Sequence, residues 1–339
     1  MILIDALHIN SFGGKSILEL FFQNFINSKV EYHFLLDNRL DSKWIQKLKS
    51  SNYTFIESNH KNRTNFYSQN LIRFSSVLCL SNVPPPIHTS IKTSIFFHNC
   101  LLLNPLNQKV SIKNRIINFL KFCYIKHYNQ NDYHWLVQTQ LVNKLLKYNL
   151  SINSDQILTY PVFNEFIEVN HAKKNLNEFV YVSSYVSHKN HKRLIKAFIM
   201  ASKNTDKEIK LHLTLNKEDL PKKVFPKNLK VKFHGTLSID NVNELYNSCE
   251  FAIYPSLVES FGLPLIEASN HGCKVIASDL PYVHEIIEPS LTFDPYSVES
   301  ISNSILIAIE TDNLPETKVL VENKLDNFVD FIISQDVQK

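Results

Sequence analysis

The sequence predicts an α/β protein built from two doubly wound, Rossmann-like domains with parallel sheets. Three observations predict it. The chain has 339 residues, more than a single hydrophobic core usually organises, so two domains are expected. Apolar strand-like runs alternate with amphipathic helical stretches almost throughout. That alternation also breaks off once, between Tyr160 and Lys174, where Pro161 and polar residues interrupt it, and then restarts.

The amino-terminal domain, 1–165, reads as strands at 1–9, 31–37, 53–58, 76–81, 92–98 and 133–139, each a short apolar run. Residues 14–27, 41–49, 61–74 and 140–149 repeat apolar positions at helical spacing between them. The carboxyl-terminal domain, 166–339, reads as strands near 178–185, 209–215, 229–234, 250–254 and 274–278. Its helices fall near 191–202, 239–248 and 263–271, and 317–334 is a further helix expected to pack back on the first domain. Strand followed by helix, repeated, gives parallel sheets whose ligands sit at the carboxyl ends of the strands.

Composition excludes several classes. With 44% hydrophobic and 20% charged residues the chain is neither disordered nor fibrous. Its five cysteines form no CxxC pair, so free buried thiols in a reducing compartment are expected rather than disulfides or zinc. Met1 leads directly into a strand, and Ser94–Leu103 is too short to span a bilayer. The expectation is a protein that is either cytoplasmic or peripheral to the inner face of the cytoplasmic membrane. The net charge of +4 is uneven: residues 1–165 carry 17 Lys/Arg against 9 Asp/Glu, and residues 166–339 carry 19 against 23. Between 42 and 131 there are 12 basic residues and a single acid, Glu57. Such a half suits an anionic partner, although a solvated basic face gives the same pattern.

Only five glycines occur, at 13, 14, 235, 262 and 272. In a chain that avoids glycine, those that remain mark positive φ or close backbone approach. Gly13-Gly14 and Gly262 open predicted helices, and Gly272 closes one. The run Tyr254–Asp279 is the most informative. Glu259 precedes the Phe261-Gly262-Leu263-Pro264 turn and Glu267 lies about one turn inside the helix. The helix mouth offers N–H groups and a favourable dipole to an anion. A diphosphate there has one carboxylate on each side to accept hydroxyl hydrogen bonds, which is the shape of a nucleotide-sugar site. A capping acid and a solvated helix face are the bland alternatives.

These residues carry a resemblance. ESFGLPLIE, with seven residues between its glutamates, resembles the E-x7-E motif of retaining GT-B glycosyltransferases of family 4. The likeness runs on through GCKVIASDLPYVHEII and TFDPYSVESI, and upstream covers Gly235-Thr236-Leu237, Leu245-Tyr246, and His188-Lys189-Asn190-His191 with Leu194–Phe198. It spans most of the carboxyl-terminal half, but in the amino-terminal half only Gly13-Gly14 and the strand SIFFHN. The branch it is most similar to builds bacterial O-antigen and capsular polysaccharides. The resemblance implies two domains facing across a cleft and a hexosyltransferase acting on a lipid-linked oligosaccharide. It implies that Glu259 contacts donor-sugar hydroxyls and Glu267 the ribose. The amides of Phe261, Gly262 and Leu263, beside Ser260, reach the sugar and phosphate. Lys189 neutralises the diphosphate, Gly13 and Gly14 offer N–H groups to it, and His98 lies near the reacting sugar. One departure stands out. Many members carry an arginine six positions before Lys189, where this chain has Ser183; either Ser184, Lys192 or another cation compensates, or diphosphate binding differs in detail.

Absent motifs narrow the chemistry. There is no DxD pair, Walker A loop, GxSxG or HExxH. The expectation is transfer with no metal and no cofactor besides the nucleotide-diphospho-sugar co-substrate, and no nucleic-acid partner. A transferase for a soluble small-molecule or protein acceptor, and an inactive nucleotide-sugar-binding scaffold, are the rival readings. The stretch Lys109–His127 alternates cations with Ile112, Ile116, Phe119, Leu120 and Tyr124. It fits either an interfacial helix on an anionic membrane or a core helix with a wet face, and the basic bias favours the membrane.

Overall fold

A computed structural model describes residues 1–9, 12–40, 52–104, 112–164, 174–221 and 224–337. The chain divides into two compact units: Met1–Asn164 with Glu322–Lys339, and Glu165–Val321.

In the first unit the order is β1 (Ile2–Asp5), α1 (Phe12–Ile26), β2 (Tyr32–Asp37), β3 (Tyr53–Ile56), α2 (His60–Asn70), β4 (Ser76–Cys79), β5 (Lys92–Phe96), α3 (Ile112–Tyr128), β6 (His134–Val137), α4 (Gln140–Leu150) and β7 (Ile157–Thr159). The described strands form a parallel sheet in the order β3-β2-β1-β4-β5-β6-β7. The order reverses direction at β1, the doubly wound arrangement that gathers ligands at strand carboxyl ends. Strand β7 is only Ile-Leu-Thr, too short to show a period of two, and the sequence reading missed it. The expected helix at 41–49 lies outside the described residues.

The second unit runs β8 (Asn175–Tyr181), α5 (His191–Ser202), β9 (Ile209–Leu213), β10 (Leu229–Phe233), α6 (Ile239–Ser248), β11 (Cys249–Tyr254), α7 (Leu263–Asn270), β12 (Lys274–Ser278), α8 (Pro281–Ile286), β13 (Ile287–Glu288), β14 (Leu291–Phe293), α9 (Val298–Glu310) and β15 (Lys318–Val319). Its main sheet is parallel, in the order β10-β9-β8-β11-β12-β14. The reversal here falls between β8 and β11, so the loops after those two strands are the natural binding position. The antiparallel pair β13–β15 and helix α9 were not foreseen. Two-residue strands carry no periodic signal.

The last helix, α10 (Leu325–Val337), belongs to the first unit. The unit boundary falls beside the expected 165/166, and segment 322–339, whose helix was expected to pack back, groups with the amino-terminal unit. The reason is aromatic burial. Phe328 is fully buried in the first core, with its ring 4.9 Å from Phe21 and 5.3 Å from Phe96. The chain entering α10 is pinned by Lys324 N–H to Pro161 O (2.7 Å), and Asn323 Nδ2 donates to Phe163 O (2.8 Å). The amino terminus also meets Asp336 at 3.1 Å.

Replacing Phe328 by alanine removes this anchor and is expected to destabilise the first unit by about 3–5 kcal/mol. Chemical denaturation followed by tryptophan fluorescence checks this, because Trp135 lies in the same unit. An unchanged midpoint would show that α10 is peripheral to the core.

Candidate functional site

The loops that leave β8 and β11 are joined before any ligand arrives. After β8 the chain makes a short 3-10 turn, Ser187–Lys189, and reaches Asn190 in the left-handed region at φ +61°. Asn190 is buried. Its Nδ2 donates to Pro255 O (3.1 Å) and Pro295 O (2.7 Å), tying the start of α5 to the segments after β11 and β14. Leu257 N–H donates to His188 O at 2.8 Å, a second tie between the two loops. Asn190 was not singled out from sequence as a site residue. The signal that marks it is asparagine at a sharp strand-to-helix turn, where only glycine and asparagine adopt positive φ cheaply.

These ties deliver Lys189 to Glu259. Its Nζ lies 2.6 Å from Glu259 Oε1, and both side chains are largely buried. Nζ also donates to Tyr254 Oη (3.2 Å) and lies over the Tyr254 ring, 5.4 Å from its centroid. Tyr254 Oη in turn donates to Glu259 Oε1 at 3.1 Å. Lysine, glutamate and tyrosine thus form a closed triangle. Burial and the adjacent carboxylate push the Tyr254 phenol well up, so it stays a neutral donor. Beneath them, Tyr181 Oη donates to Lys189 O (2.9 Å) and lies 3.1 Å from Ser256 Oγ, and Tyr282 Oη donates to Ser256 O (2.8 Å). The two loops rest on a buried tyrosine floor.

The turn after Glu259 ends at Gly262, φ +88°, which caps the N-terminus of α7. A Cβ there would come within 3.1 Å of Leu265 Cδ1 in addition to the backbone strain, so glycine is required on two counts. Leu263 N–H, in the first turn of α7, has no carbonyl within its own helix to serve, and Pro264 brings no N–H at all. Phe261 is buried, while Ser260 and Leu263 are half-buried. Glu267 is half-buried one turn into α7. Loss of water pushes its carboxyl up to about 7. A group poised near neutrality can accept from hydroxyls when ionised or donate when protonated.

Ser183, at the position of the family arginine, is engaged locally. Its N–H donates to Thr214 Oγ1 (2.9 Å) and its Oγ lies 2.9 Å from His191 Nε2. Lys192, an expected substitute, is exposed and lines a separate cavity with Ile195, Lys196, Lys217 and Phe233. That expectation is corrected: on α5, Lys192 is one residue past buried His191, and helical geometry turns it away. Arg193, by contrast, hydrogen-bonds Asn190 Oδ1 at 2.9 Å and stacks over Tyr296.

The remaining expected residues belong to the first unit. Gly13 and Gly14 open a helix, as expected: they lie within the first turn of α1, which begins at Phe12. Their N–H groups still lack helical partners, because no carbonyl precedes them at the right spacing. His98 follows β5. Asn82, buried and at φ +66°, accepts from His98 N–H through Oδ1 (2.6 Å) and faces His98 Nε2 through Nδ2 (3.1 Å). Burial lowers the imidazole to about 4, so it is neutral at pH 7 with Nε2 as the acceptor. Among the described residues it is Asn82 that fixes this ring, and the sequence reading did not identify it.

The first unit also holds a cavity of about 760 Å³ lined by His8, Arg39, His60, Arg63, Lys121, Tyr124 and His127 among others. Arg63 is fully buried and pairs with Asp5 at 2.8 Å, and it donates further to Pro84 O (2.8 Å) and Tyr124 Oη (3.1 Å). Helix α3 forms one wall. Its Ile112, Ile116, Ile117, Phe119 and Leu120 are exposed, while Tyr124 turns inward to Arg63, leaving the apolar face that the sequence assigned to it. Lys109 lies outside the described residues. Cys123, on the same helix, is exposed, unlike the other four thiols; its helical position rather than its chemistry decides this.

With this geometry in view, similarity to known proteins becomes informative. Residues 162–324 match the family described as glycosyl transferases group 1. O-antigen chain mannosyltransferase B of Escherichia coli is 31% identical over 87 residues, 25% of this chain and 23% of that protein. O-antigen chain mannosyltransferase RfbU of Salmonella typhimurium is 29% identical over 163 residues, 45% of this chain and 44% of its own length. The alignments thus span less than half of these relatives. Among solved structures, the apo form of lipopolysaccharide outer core galactosyltransferase WaaB aligns with a TM-score of 0.60 at 15% identity, covering 99% of this chain and 95% of its own. Anabaena Alr3699/HepE, solved with UDP and glucose, aligns at 0.63 and 12% identity, covering 99% and 97%.

The fold is accordingly GT-B, the architecture of a large class of glycosyltransferases. Residues 162–324 are the part of the chain that is similar to the glycosyl transferases group 1 family, and the O-antigen mannosyltransferase relatives align within less than half of their length.

Glu267 gives the site a pH signature. Its folded pKa of about 7 lies above the unfolded value of about 4.3, so the folded state holds the proton more tightly. Stability from this group is complete below about pH 4 and is lost as pH rises through 7. Glu267→Gln should therefore gain on wild type by about 1–2 kcal/mol between pH 5 and 8, read from denaturation midpoints. A difference that stays flat across that range would contradict the raised pKa.

Proposed function

We propose that the protein is a retaining hexosyltransferase that takes a sugar from a nucleotide-diphospho-sugar and delivers it to a hydroxyl of a lipid-linked oligosaccharide during surface polysaccharide assembly. The carrying observation is the Lys189–Glu259–Tyr254 triangle set beside the glycine-capped mouth of α7. It would supply a cation and helix amides for a diphosphate, and a carboxylate for sugar hydroxyls, at the ends of two adjacent strands. The mannosyltransferase relatives make nucleoside-diphosphate mannose the first donor to test.

In this reading the diphosphate enters the mouth of α7 and draws the Lys189 ammonium towards it. Glu259, thereby released from Lys189, accepts from the sugar, and Glu267 in its ionised form accepts from the ribose. As the anomeric C–O bond breaks, negative charge grows on the leaving diphosphate, and Lys189 and the α7 dipole stabilise it. The acceptor hydroxyl attacks from the same face, and a leaving phosphate oxygen takes its proton. No carboxylate nucleophile is assigned to this step. The chain lacks a DxD pair, which supports transfer without a catalytic metal. His98, Gly13 and Gly14, which the sequence also proposes for donor contact, belong to the first unit.

The acceptor assignment draws on the amino-terminal unit. Its cavity gathers arginine, lysine and histidine, and among the described residues no acid lines it, although Arg39 and Arg63 are paired with Asp37 and Asp5 behind them. Lys121 and the histidines would suit an anionic acceptor such as a lipid diphosphate. Beside it, α3 exposes Ile112, Ile116, Ile117, Phe119 and Leu120 near Lys113, Arg115 and Lys121. That combination supports contact with an anionic membrane. No helix among the described residues is long and apolar enough to cross one.

A panel of nucleotide-sugars should give a thermal shift and slow hydrolysis with at least one donor, with EDTA present. Glu259→Gln and Lys189→Ala are each expected to lower kcat by about 10²–10³-fold. Silence towards every donor would leave the enzymatic reading without support, and full activity in Glu259→Gln would overturn its role. Activity abolished by chelator and restored by Mn²⁺ would overturn the metal-free mechanism.

Vesicles containing anionic lipid should pellet the protein. Charge reversal at Lys113, Lys121 and Lys126 should release it, and neutral vesicles should bind it weakly. Pelleting indifferent to those reversals would count against α3 as the contact.

A further inference from the structure

The proposed donor site occupies one end of β11. The other end opens with Cys249, about 17 Å away along a six-residue strand. Strand β8 lies between β9 and β11 in the sheet. This order sets Glu178 of β8 centrally, with His212 of β9 on one side and Cys249 of β11 on the other. All three side chains are more than nine-tenths buried. One ligand-type atom from each lies within 4.8 Å of the other two.

The hydrogen bonding around the three is incomplete in an informative way. Glu178 Oε1 is held by Lys210 Nζ at 2.7 Å. Glu178 Oε2 points to His212 Nε2 at 3.2 Å, yet His212 Nε2 is buried and has no hydrogen-bond partner among the described residues. The other ring nitrogen, His212 Nδ1, lies 3.0 Å from His234 Nε2, with the rings nearly parallel at 11°. When His212 Nδ1–H donates to His234, Nε2 presents a bare lone pair to a carboxylate oxygen. Glu178 Oε2, which accepts one long hydrogen bond from Asn175 Nδ2 (3.4 Å), then faces a second acceptor in a buried space beside a thiol. An electrophile is what that space lacks.

We propose that Glu178, His212 and Cys249 form a binding site for one borderline-soft divalent cation of the zinc class, separate from the sugar-transfer site. The donor set is imidazole nitrogen, carboxylate oxygen and sulfur, the mixture zinc takes. Oε2 coordinates while Lys210 keeps Oε1, and His234 orients the imidazole from behind, as outer partners of metal-bound histidines do. Binding converts the Cys249 thiol to thiolate and releases its proton to solvent, with no redox change. Tetrahedral ligands around zinc stand about 3.3–3.8 Å apart, so the cluster contracts by side-chain rotation when the ion enters. The cation joins three adjacent strands and acts as a structural clamp on the second unit.

The test uses Co²⁺ as a spectroscopic stand-in, on the full chain after chelator treatment and under reducing conditions. One equivalent should give a near-ultraviolet thiolate-to-cobalt band and visible bands of a tetrahedral ion, all displaced by Zn²⁺. Cys123→Ser, which removes the exposed thiol, should leave the spectrum intact, whereas Cys249→Ser should abolish the thiolate band. His234→Gln should keep the spectrum and weaken affinity about 10–100-fold, a readout that stands even if the buried cysteine variant fails to fold. Wild type without a thiolate band, or a band lost in Cys123→Ser, overturns the proposal. No nucleotide-sugar enters the measurement, so its outcome is independent of the transferase reading.

Discussion

The second unit is organised around the ion pair between Lys189 and Glu259. Lysine arrives on the loop after β8 and glutamate on the loop after β11, the two strands at which the sheet reverses its winding. A 2.6 Å contact between them needs both loops held to a fraction of an ångström. Asn190 and the Leu257–His188 bond provide that hold through backbone carbonyls, and the tyrosines below leave no room for the loops to sink. Without a ligand the pair satisfies both charges in a partly buried place, where an unpaired charge would be costly. In the proposed reading a diphosphate and a sugar replace each partner in turn, so the same contact would hold the two loops together and keep the recognition groups in place.

A comparable logic governs the first unit. Asp5 ends β1, and its carboxylate accepts from Arg63 and from Tyr67 Oη at 2.7 Å. Every polar direction of Arg63 is met by a carboxylate, a carbonyl, a phenol or the Cys79 thiol. That fully satisfied cation forms the floor of a cavity whose lining also includes Arg39, itself paired with Asp37. The two units thus share a design: a rigid polar network under strand ends.

How much of this was legible beforehand differs by element. The long, periodic strands and helices were readable, and so was the Glu259–Glu267 segment, because its chemistry is local: a strand, a glycine with φ +88°, a helix and two acids within one continuous run. Asn82 and Asn190 were not readable. Each matters through hydrogen bonds to residues 16 or more positions away, and asparagine is common enough in this chain to hide them. Tyr124 was placed on the wrong face because helical spacing defines a stripe but not which neighbour claims its edge. Lys192 failed for a related reason: proximity in sequence to Lys189 says nothing about direction once a helix begins.

By itself, then, the sequence determined the two parallel sheets, the glycine turn at the mouth of α7 and the two glutamates that flank it, because periodicity and local backbone geometry depend on neighbours along the chain. Tertiary structure alone decided that Lys189 pairs with Glu259, that Arg63 is buried under a basic cavity, and that α10 joins the first unit through Phe328. It also decided that Glu178, His212 and Cys249 meet. Those contacts connect residues 34 to about 300 positions apart, and only the order in which strands pair brings them within bonding distance.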